Sequence, residues 1–365
     1  MPGGIDLKTE VLNSSSCTLC GVCLDWCPYL KSLEHHLVMP FACKVQDGRC
    51  YSVCPRTFTD WQEIKASFMP DTPDSLEMGA FNAVYKVKSV NSLDGQQDGG
   101  TVSSLIKTAL EETMVQAALL TGSDDNISPS SFLTADTADI EKAAGSRFLA
   151  APGLRKITEA VQKGIKKMLV VGRPCQVQAL RKYQKNHPAD APTEFISIGL
   201  FCMWSLSWTF KDYLQNTYPG IDIKKISIPQ HGVEVLCSDG IKALSTEKVK
   251  EFVQAGCSYC LDMTSELADI SVGAFEAEPG WNTVLVRTPQ GAALLQRAVD
   301  KGYLKLEEYP QKDLDGLKRA SLNKKARNLK LLQDAVDHGR LKPFVDLSQP
   351  QYTEILAYAE GMVKS

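Results

Sequence analysis

The chain has 365 residues, 44% apolar and 23% charged, and at roughly 150 residues per domain that length predicts about two domains. This composition excludes a disordered chain, a collagen and a disulfide miniprotein. The net charge is -3 with a pI near 6.0 and the 40 Lys and Arg are scattered, so the basic footprint of a nucleic-acid binder is missing.

Apolar stretches such as Met168 to Val171 fall far short of the roughly 18 residues that cross a bilayer. Met1 to Glu10 carries Asp6 and Glu10 and lacks an apolar core before a small-residue cleavage site, so it does not read as a secretory leader. The expectation is a cytoplasmic protein without a membrane span of its own, free or held at a membrane by a partner complex.

Seven of the twelve cysteines fall between Cys17 and Cys54. Cys17, Cys20, Cys23 and Cys27, followed by Pro28, give C-x2-C-x2-C-x3-C-P, the spacing by which a tight loop turns three thiolates onto one iron–sulfur cluster and sends the fourth to another. Asp47-Gly48-Arg49-Cys50-x3-Cys54-Pro55 repeats Cys20-Gly21-Val22-Cys23-x3-Cys27-Pro28 with Asp in one cysteine's place. Crossed ligation assigns one 4Fe-4S cluster to Cys17, Cys20, Cys23 and Cys54, and a second to Cys27, Cys43 and Cys50. Asp47 is the candidate fourth ligand of the second; a three-iron cluster or an outside ligand are the alternatives. Disulfides and zinc sites also use close cysteines, but neither requires the two prolines, and disulfides are rare in the cytosol. His35 and His36 read as loop decoration between the repeats.

A Pro- and Asp-rich loop, Met69 to Glu77, places a domain boundary near residues 75 to 80. The sequence then alternates between strand-like and helix-like segments, which argues an α/β body. Gly99-Gly100-Thr101 precedes a helix-spaced stretch, Val102 to Glu112, and Ala117 to Leu120 reads as a strand. Backbone N–H groups of Gly99, Gly100, Thr101 and Ser103 at that helix start are a candidate pyrophosphate cradle, although a Gly-Gly pair before a helix is commonly only a turn. Next come a helix over Ala138 to Ala144, the turn Gly145-Ser146-Arg147, a helix near Leu154 to Lys163 and a buried strand, Lys167 to Val171. Gly172-Arg173-Pro174-Cys175-Gln176 follows that strand and leads into a helix, Val177 to Tyr183. A strand at Ile196 to Phe201 runs in the same way into Cys202, and ligands in α/β sheets favour such strand ends.

Cys175, Cys202 and the pair Cys257-x2-Cys260 offer four soft ligands from three segments. A third cluster is one reading; simple packing, a redox pair and half a zinc site are the others. Cys237 reads as packing. Leu317 to Met362 looks helical, with Leu329, Leu332 and Val336 in one apolar stripe that Gly339 interrupts, expected to pack on the body. Lys324-Lys325 reads as solvated surface, with contact to an anionic cofactor as the other reading.

In order along the chain, Gly99-Gly100-Thr101, Gly145-Ser146-Arg147-Phe148, Val171-Gly172-Arg173-Pro174-Cys175-Gln176, Gly199-Leu200-Phe201-Cys202, Cys257-Ser258-Tyr259-Cys260-Leu261-Asp262, Ala268 to Gly273 and Gly280 to Thr288 resemble the coenzyme F420 hydrogenase/dehydrogenase beta-subunit family of iron–sulfur flavoproteins. The resemblance spans most of the chain. It implies FAD in the α/β body, with Ser146, Arg147, Gly172, Arg173 and Gln176 joining Gly99, Gly100, Thr101 and Ser103 around it. It also implies a body 4Fe-4S cluster on Cys175, Cys202, Cys257 and Cys260. Arg173 stands where the family often has a small residue, and Ala274-Phe275-Glu276 follows Gly273 where an acidic residue and glycine are usual; both bear on substrate identity.

The architecture expected is therefore α+β with α/β: a small N-terminal bacterial-ferredoxin-like domain with two 4Fe-4S clusters (1–75), a larger α/β flavin-binding body (76–345) and a C-terminal helical tail (346–365). The resemblance implies hydride exchange between coenzyme F420 and FAD, with single electrons passing through clusters to or from a partner. That partner would be a ferredoxin-like protein or a hydrogenase, formate dehydrogenase, heterodisulfide reductase or membrane dehydrogenase complex. No side chain need act as general acid, since flavin itself converts a two-electron step into single electrons. Two other readings stand beside it: a ferredoxin-dependent flavin reductase of another organic substrate or an NAD(P)H-linked variant, and a flavin-less iron–sulfur adaptor.

Overall fold

The computed structural model describes residues 2–33, 35–91, 99–187, 194–228 and 232–363. In chain order the strands are β1 (Lys31–Leu33), β2 (His36–Val38), β3 (Ala83–Ser89), β4 (Ala117–Ser123), β5 (Pro129–Thr134), β6 (Lys167–Gly172) and β7 (Glu194–Leu200). They continue as β8 (Ile223–Ser227), β9 (Val233–Cys237), β10 (Gly240–Leu244), β11 (Ile270–Ala274), β12 (Asn282–Val286) and β13 (Leu304–Glu308).

A mixed eight-stranded sheet, ordered β13-β3-β12-β11-β7-β6-β4-β5, forms the body. Strands β4, β6, β7 and β11 are parallel neighbours. Their continuous apolar runs, such as Met168, Leu169 and Val170 in β6, are what a sheet covered on both faces requires. Strand β12 runs antiparallel to both β11 and β3, so β3 points the same way as the parallel core. The carboxyl ends of β3, β4, β6, β7 and β11 therefore share one edge. Helices Thr101–Glu111 and Pro174–Asn186 start from that edge, after β3 and β6.

Buried ionic groups lock the opposite edge. The Arg287 guanidinium, fully buried, donates to the carbonyls of Met78 (3.0 Å), Ala80 (2.6 Å) and Thr264 (3.1 Å) and to the Ser271 and Thr264 hydroxyls. Asp269 accepts from the Ser197 N–H (2.7 Å) and pairs with Arg181 at 3.0 Å. A guanidinium left there without these acceptors would be an uncompensated buried charge, so the network ties the segment before β3 to the loops that precede β11 and follow β12.

A separate antiparallel sheet, β10-β9-β8, closes its own core around Phe210, Leu214, Val235 and Cys237. Cys237, 3% exposed, is part of that core, as its packing reading anticipated. The helix Gln311–Asp337 runs unbroken and packs on the helix Pro350–Val363 through Leu329, Leu332 and Ile355, with Phe344 of the connecting segment in the same core. Gly339, at φ +65°, follows that helix end, where a left-handed residue costs least as glycine.

The N-terminal segment has its own small core, Leu7, Val11, Leu24, Leu30 and Met39 with Cys23, Cys43 and Cys54. It does not stand apart: Cys20, Val22 and Val53 pack with Leu154, Leu180 and Tyr183 of the body. Gly21, at φ +89°, makes the joint possible, because a Cβ there would lie 2.3 Å from the Pro152 carbonyl oxygen. Two expected α-helices differ in form. Residues Thr137–Ala143 are 3₁₀, their first turn capped by Asp136, and the helix expected from Leu154 starts with a 3₁₀ turn, Gly153–Arg155, before turning α at Lys156–Gln162.

Candidate functional site

Looping of the C-x2-C-x2-C run and its return at Cys54 bring four thiols to one cavity: Cys17, Cys20, Cys23 and Cys54 line it together with Leu7 and Val11. Burial pushes the Cys17 thiol up to about 12, and the neighbouring Cys54 and Cys175 sulfurs add to it. Cys20 and Cys23 are raised for the same reasons. Backbone N–H groups nevertheless aim at sulfur, Leu19 at Cys17 (3.4 Å) and Arg56 at Cys54 (3.4 Å). Crowded buried thiols facing such donors need a cationic centre among them before they ionise, which is the donor chemistry of a metal cluster.

Cys27, Cys43 and Cys50 form a second set. Burial, then the sulfurs of Cys27 and Cys43, raise the Cys50 thiol to about 11. Asp47 is exposed beside them in the chain, in a left-handed turn at φ +59°.

The body cysteines come together at the sheet edge. Cys175 opens the helix after β6, Cys202 follows β7, Cys257 lies within the 3₁₀ turn Ala255–Tyr259 and Cys260 caps its end. Burial and the Cys257 and Cys175 sulfurs, against the pull of Lys324 and Arg173, leave the Cys202 thiol raised to about 12. The Ser205 N–H donates to the Cys257 sulfur at 3.4 Å. Among the described residues no three His, Cys, Asp or Glu side chains converge closely enough to hold one metal ion; the N-terminal thiols surround a shared space instead. The two quartets adjoin, since Cys17 and Cys20 both lie in the field of Cys175.

Cations line this junction. Arg173 bonds the Ser205 hydroxyl and the Ala151 carbonyl (3.3 Å); burial works against its charge, and the Cys175, Cys202, Cys257 and Cys20 sulfurs around it outweigh burial. It therefore faces sulfur on both sides. Arg56, 4% exposed, donates to the Gly256 carbonyl (2.9 Å). Lys182 reaches from the body helix to the Cys54 and Phe58 carbonyls (2.7 and 2.8 Å) and to the hydroxyls of Thr57 and Thr59. Lys324-Lys325, expected at the surface, is buried: Lys324 bonds the Cys202 and Asp262 carbonyls, and Lys325 pairs with Glu266 at 2.6 Å. Their partners lie far off in sequence, which is why a lysine pair misled.

The cradle residues lie on the same edge. Gly99 and Gly100 are left-handed, at φ +55° and +63°, and start the helix Thr101–Glu111, with Ser103 half-buried in its first turn. The Thr101 N–H donates to the Asn282 side-chain oxygen at 3.3 Å, and a Cβ on Gly99 would come within 2.2 Å of that oxygen. Arg147 donates to the carbonyls of Ala144 (3.1 Å) and Ser146 (3.2 Å), while its Nε and the Ser123 hydroxyl are buried without hydrogen-bond partners. Such orphaned polar atoms at the carboxyl end of β4 fit a bound polar cofactor. Gln176, beside Gly172, uses its side-chain oxygen on the Arg173 N–H (3.0 Å). Sequence reasoning missed Arg56 and Lys182; the first directly follows Cys54-Pro55, whereas Lys182 carries no local signal.

Comparison with known proteins covers the body of the chain. Family profiles described as coenzyme F420 hydrogenase/dehydrogenase, beta subunit N-term and C terminus match residues 84–157 and 165–312. An F420H2 dehydrogenase subunit from Methanosarcina mazei is 26% identical, over 84% of this chain and 88% of that protein. The coenzyme F420-dependent sulfite reductase of Methanocaldococcus jannaschii is 29% identical over 82% of this chain, which spans 48% of that protein. A chain of the F420-reducing [NiFe] hydrogenase complex from Methanosarcina barkeri superposes with a TM-score of 0.68 at 29% identity, covering 73% of this chain and 96% of that one. No helix among the described residues is long and apolar enough to cross a membrane. From strand ends to sulfur-bearing loops, the protein belongs to the coenzyme F420 hydrogenase/dehydrogenase beta-subunit family of oxidoreductases.

Proposed function

We propose that this chain is an electron-transfer subunit that exchanges hydride between coenzyme F420 and FAD and relays single electrons through 4Fe-4S clusters to or from a partner. The observation that carries it is the single cavity lined by Cys17, Cys20, Cys23 and Cys54, the set that crossed ligation in a ferredoxin-like segment demands, adjoining the body quartet. Cys175, Cys202, Cys257 and Cys260 would hold the body cluster. Cys27, Cys43 and Cys50, with Asp47 as candidate fourth ligand, would hold the second N-terminal one.

FAD, when bound, supplies the exchange between paired and single electrons that no amino acid provides. Gly99, Gly100 and Ser103 offer N–H groups to its pyrophosphate, beside a Thr101 N–H already given to Asn282, and Arg147 brings a cation with an unpaired donor to the same edge. Gly172 ends β6 against the Gln176 side chain, 3.2 Å from where a Cβ would stand. The body quartet adjoins the Cys17 set, since a Cβ on Gly256 would lie 2.7 Å from the Cys17 carbonyl oxygen, and this supports the order body quartet, Cys17 set, Cys27 set. The relatives named as hydrogenase and dehydrogenase subunits support a partner subunit at the far end.

The test is anaerobic purification with iron, acid-labile sulfide and flavin quantified, followed by loss of the reduced coenzyme F420 absorption on adding the protein with a one-electron acceptor dye. Stoichiometric FAD, sulfide matching iron and turnover of the deazaflavin are expected. Colourless protein without sulfide overturns the reading, and cluster-loaded protein without flavin reduces it to an adaptor.

A further inference from the structure

Lys324 sits in the middle of the helix Gln311–Asp337 and is 1% exposed. An ammonium has three N–H donors and no acceptor. Here each finds a target: the Cys202 carbonyl at 2.6 Å, the Asp262 carbonyl at 2.7 Å and the Cys260 sulfur at 3.7 Å. One turn on, the Asn328 amide donates to the carbonyls of Cys257 (3.2 Å) and Cys260 (2.9 Å). A C-terminal helix thus holds the loops of three body cysteines, and Lys324 sets a full charge against the Cys260 sulfur.

We propose that Lys324 is a positioning residue that sets the reduction potential of the body cluster, holding it higher than a neutral side chain would. This rests on the reading of Cys175, Cys202, Cys257 and Cys260 as cluster ligands. One-electron reduction makes a thiolate-held cluster more negative with no bond made or broken, and a fixed cation touching a ligand sulfur in a water-poor site stabilises that added charge. Potentials of such clusters respond to net charge and to hydrogen bonds on sulfur. The consequence is functional, because a raised potential makes the body cluster the acceptor best placed to draw the first electron from the flavin site.

The experiment is a potentiometric EPR titration of the full chain, purified anaerobically, for wild type, Lys324→Met, Lys324→Gln and Lys324→Arg. The body signal is the one that Cys260→Ala abolishes. Both neutral variants should lower its midpoint by about 59 mV or more, a tenfold change in the reduced-to-oxidised ratio at fixed potential, with the N-terminal signals unmoved. Lys324→Arg should restore most of the shift. An unchanged body midpoint in cluster-loaded Lys324→Met and Lys324→Gln overturns the proposal. So does loss of the body iron in both neutral variants, which would make Lys324 a clamp on the loops and nothing more. Failure of the cluster reading itself is seen earlier and separately, as wild-type protein without acid-labile sulfide or any EPR signal.

Discussion

The two groups of cysteines reach similar surroundings by opposite routes. Between residues 17 and 54 the chain folds back on itself, and turns such as those at Leu19 and Gly21, both at positive φ, aim neighbouring thiols inward. The body quartet is gathered between residues 175 and 260, from two strand ends and a 3₁₀ turn, and is braced from behind by the C-terminal helix through Lys324 and Asn328. The first arrangement is bought with local spacing, the second with the stability of the whole sheet. They should fail under different insults.

The largest test strikes the buried guanidinium at the opposite edge of the sheet. Arg287→Met leaves the carbonyls of Met78, Ala80 and Thr264 without their donor and removes a charge fixed near Glu266 and Asp262, a loss of about 3–5 kcal/mol. Chemical denaturation should show that loss, and the body EPR signal should fade at lower urea than the N-terminal signals. Simultaneous fading would mean that the N-terminal segment depends on the sheet as fully as the body quartet does. Cys54→Ala asks the converse. It should remove about one third of the iron and acid-labile sulfide, with the body signal retained; loss of all iron would break the distinction.

The same contrast explains what could be read in advance. Cysteine spacing is a short-range constraint, so the N-terminal sets stand in the sequence together with the prolines that turn the loop. Strands β6 and β7 are legible because a doubly covered strand is an apolar run, and the stripe at Leu329 and Leu332 because a packed helix repeats every three to four residues. The three-stranded sheet β10-β9-β8 is harder to read, since each strand is only five residues long, although Val233 to Cys237 alternates apolar and polar residues ahead of the Asp239-Gly240 turn. The burial of Lys182, Lys324 and Arg287 was not legible, because their acceptors lie more than one hundred residues away in the chain or in loops that only the sheet brings near. A charged residue looks solvated until its partners are placed.

A middle-sized effect probes the seam. Lys182, 4% exposed, is the body's hold on the segment after Cys54, through the carbonyls of Cys54, Thr57 and Phe58. Lys182→Met should cost about 2–3 kcal/mol, because those carbonyls keep their burial and lose their donor. Limited proteolysis should then cut faster near residues 54–59 than in wild type. If the cleavage rate is unchanged while stability falls, the seam is held by Val53 and Leu180 packing and the lysine acts only on the fold as a whole.

The smallest effect belongs to a turn remote from both groups, and its pH dependence has a definite sign. Asp125, between β4 and β5, accepts from the Ser128 N–H (2.6 Å) and hydroxyl (2.9 Å) and from Lys211 at 2.7 Å. Burial raises its carboxyl, but Lys211 and the Ser128 and Ile127 donors outweigh burial and hold it well below the usual carboxylate range. A folded-state value below the unfolded one means that the unfolded chain binds the proton first on acidification. The stabilisation is therefore complete above about pH 4 and is lost as pH falls from there through the folded-state value. With the Asp125 side chain 45% exposed, solvent screening limits it to ~0.5 kcal/mol. Asp125→Asn should lower the urea midpoint slightly at pH 7, and the gap from wild type should narrow at pH 3, with iron content and EPR signals the same in both. A gap that widens in acid would reverse the sign. A change in iron would show that the cysteine sets are coupled even to this distant hairpin, and the contrast between local and global assembly would no longer hold.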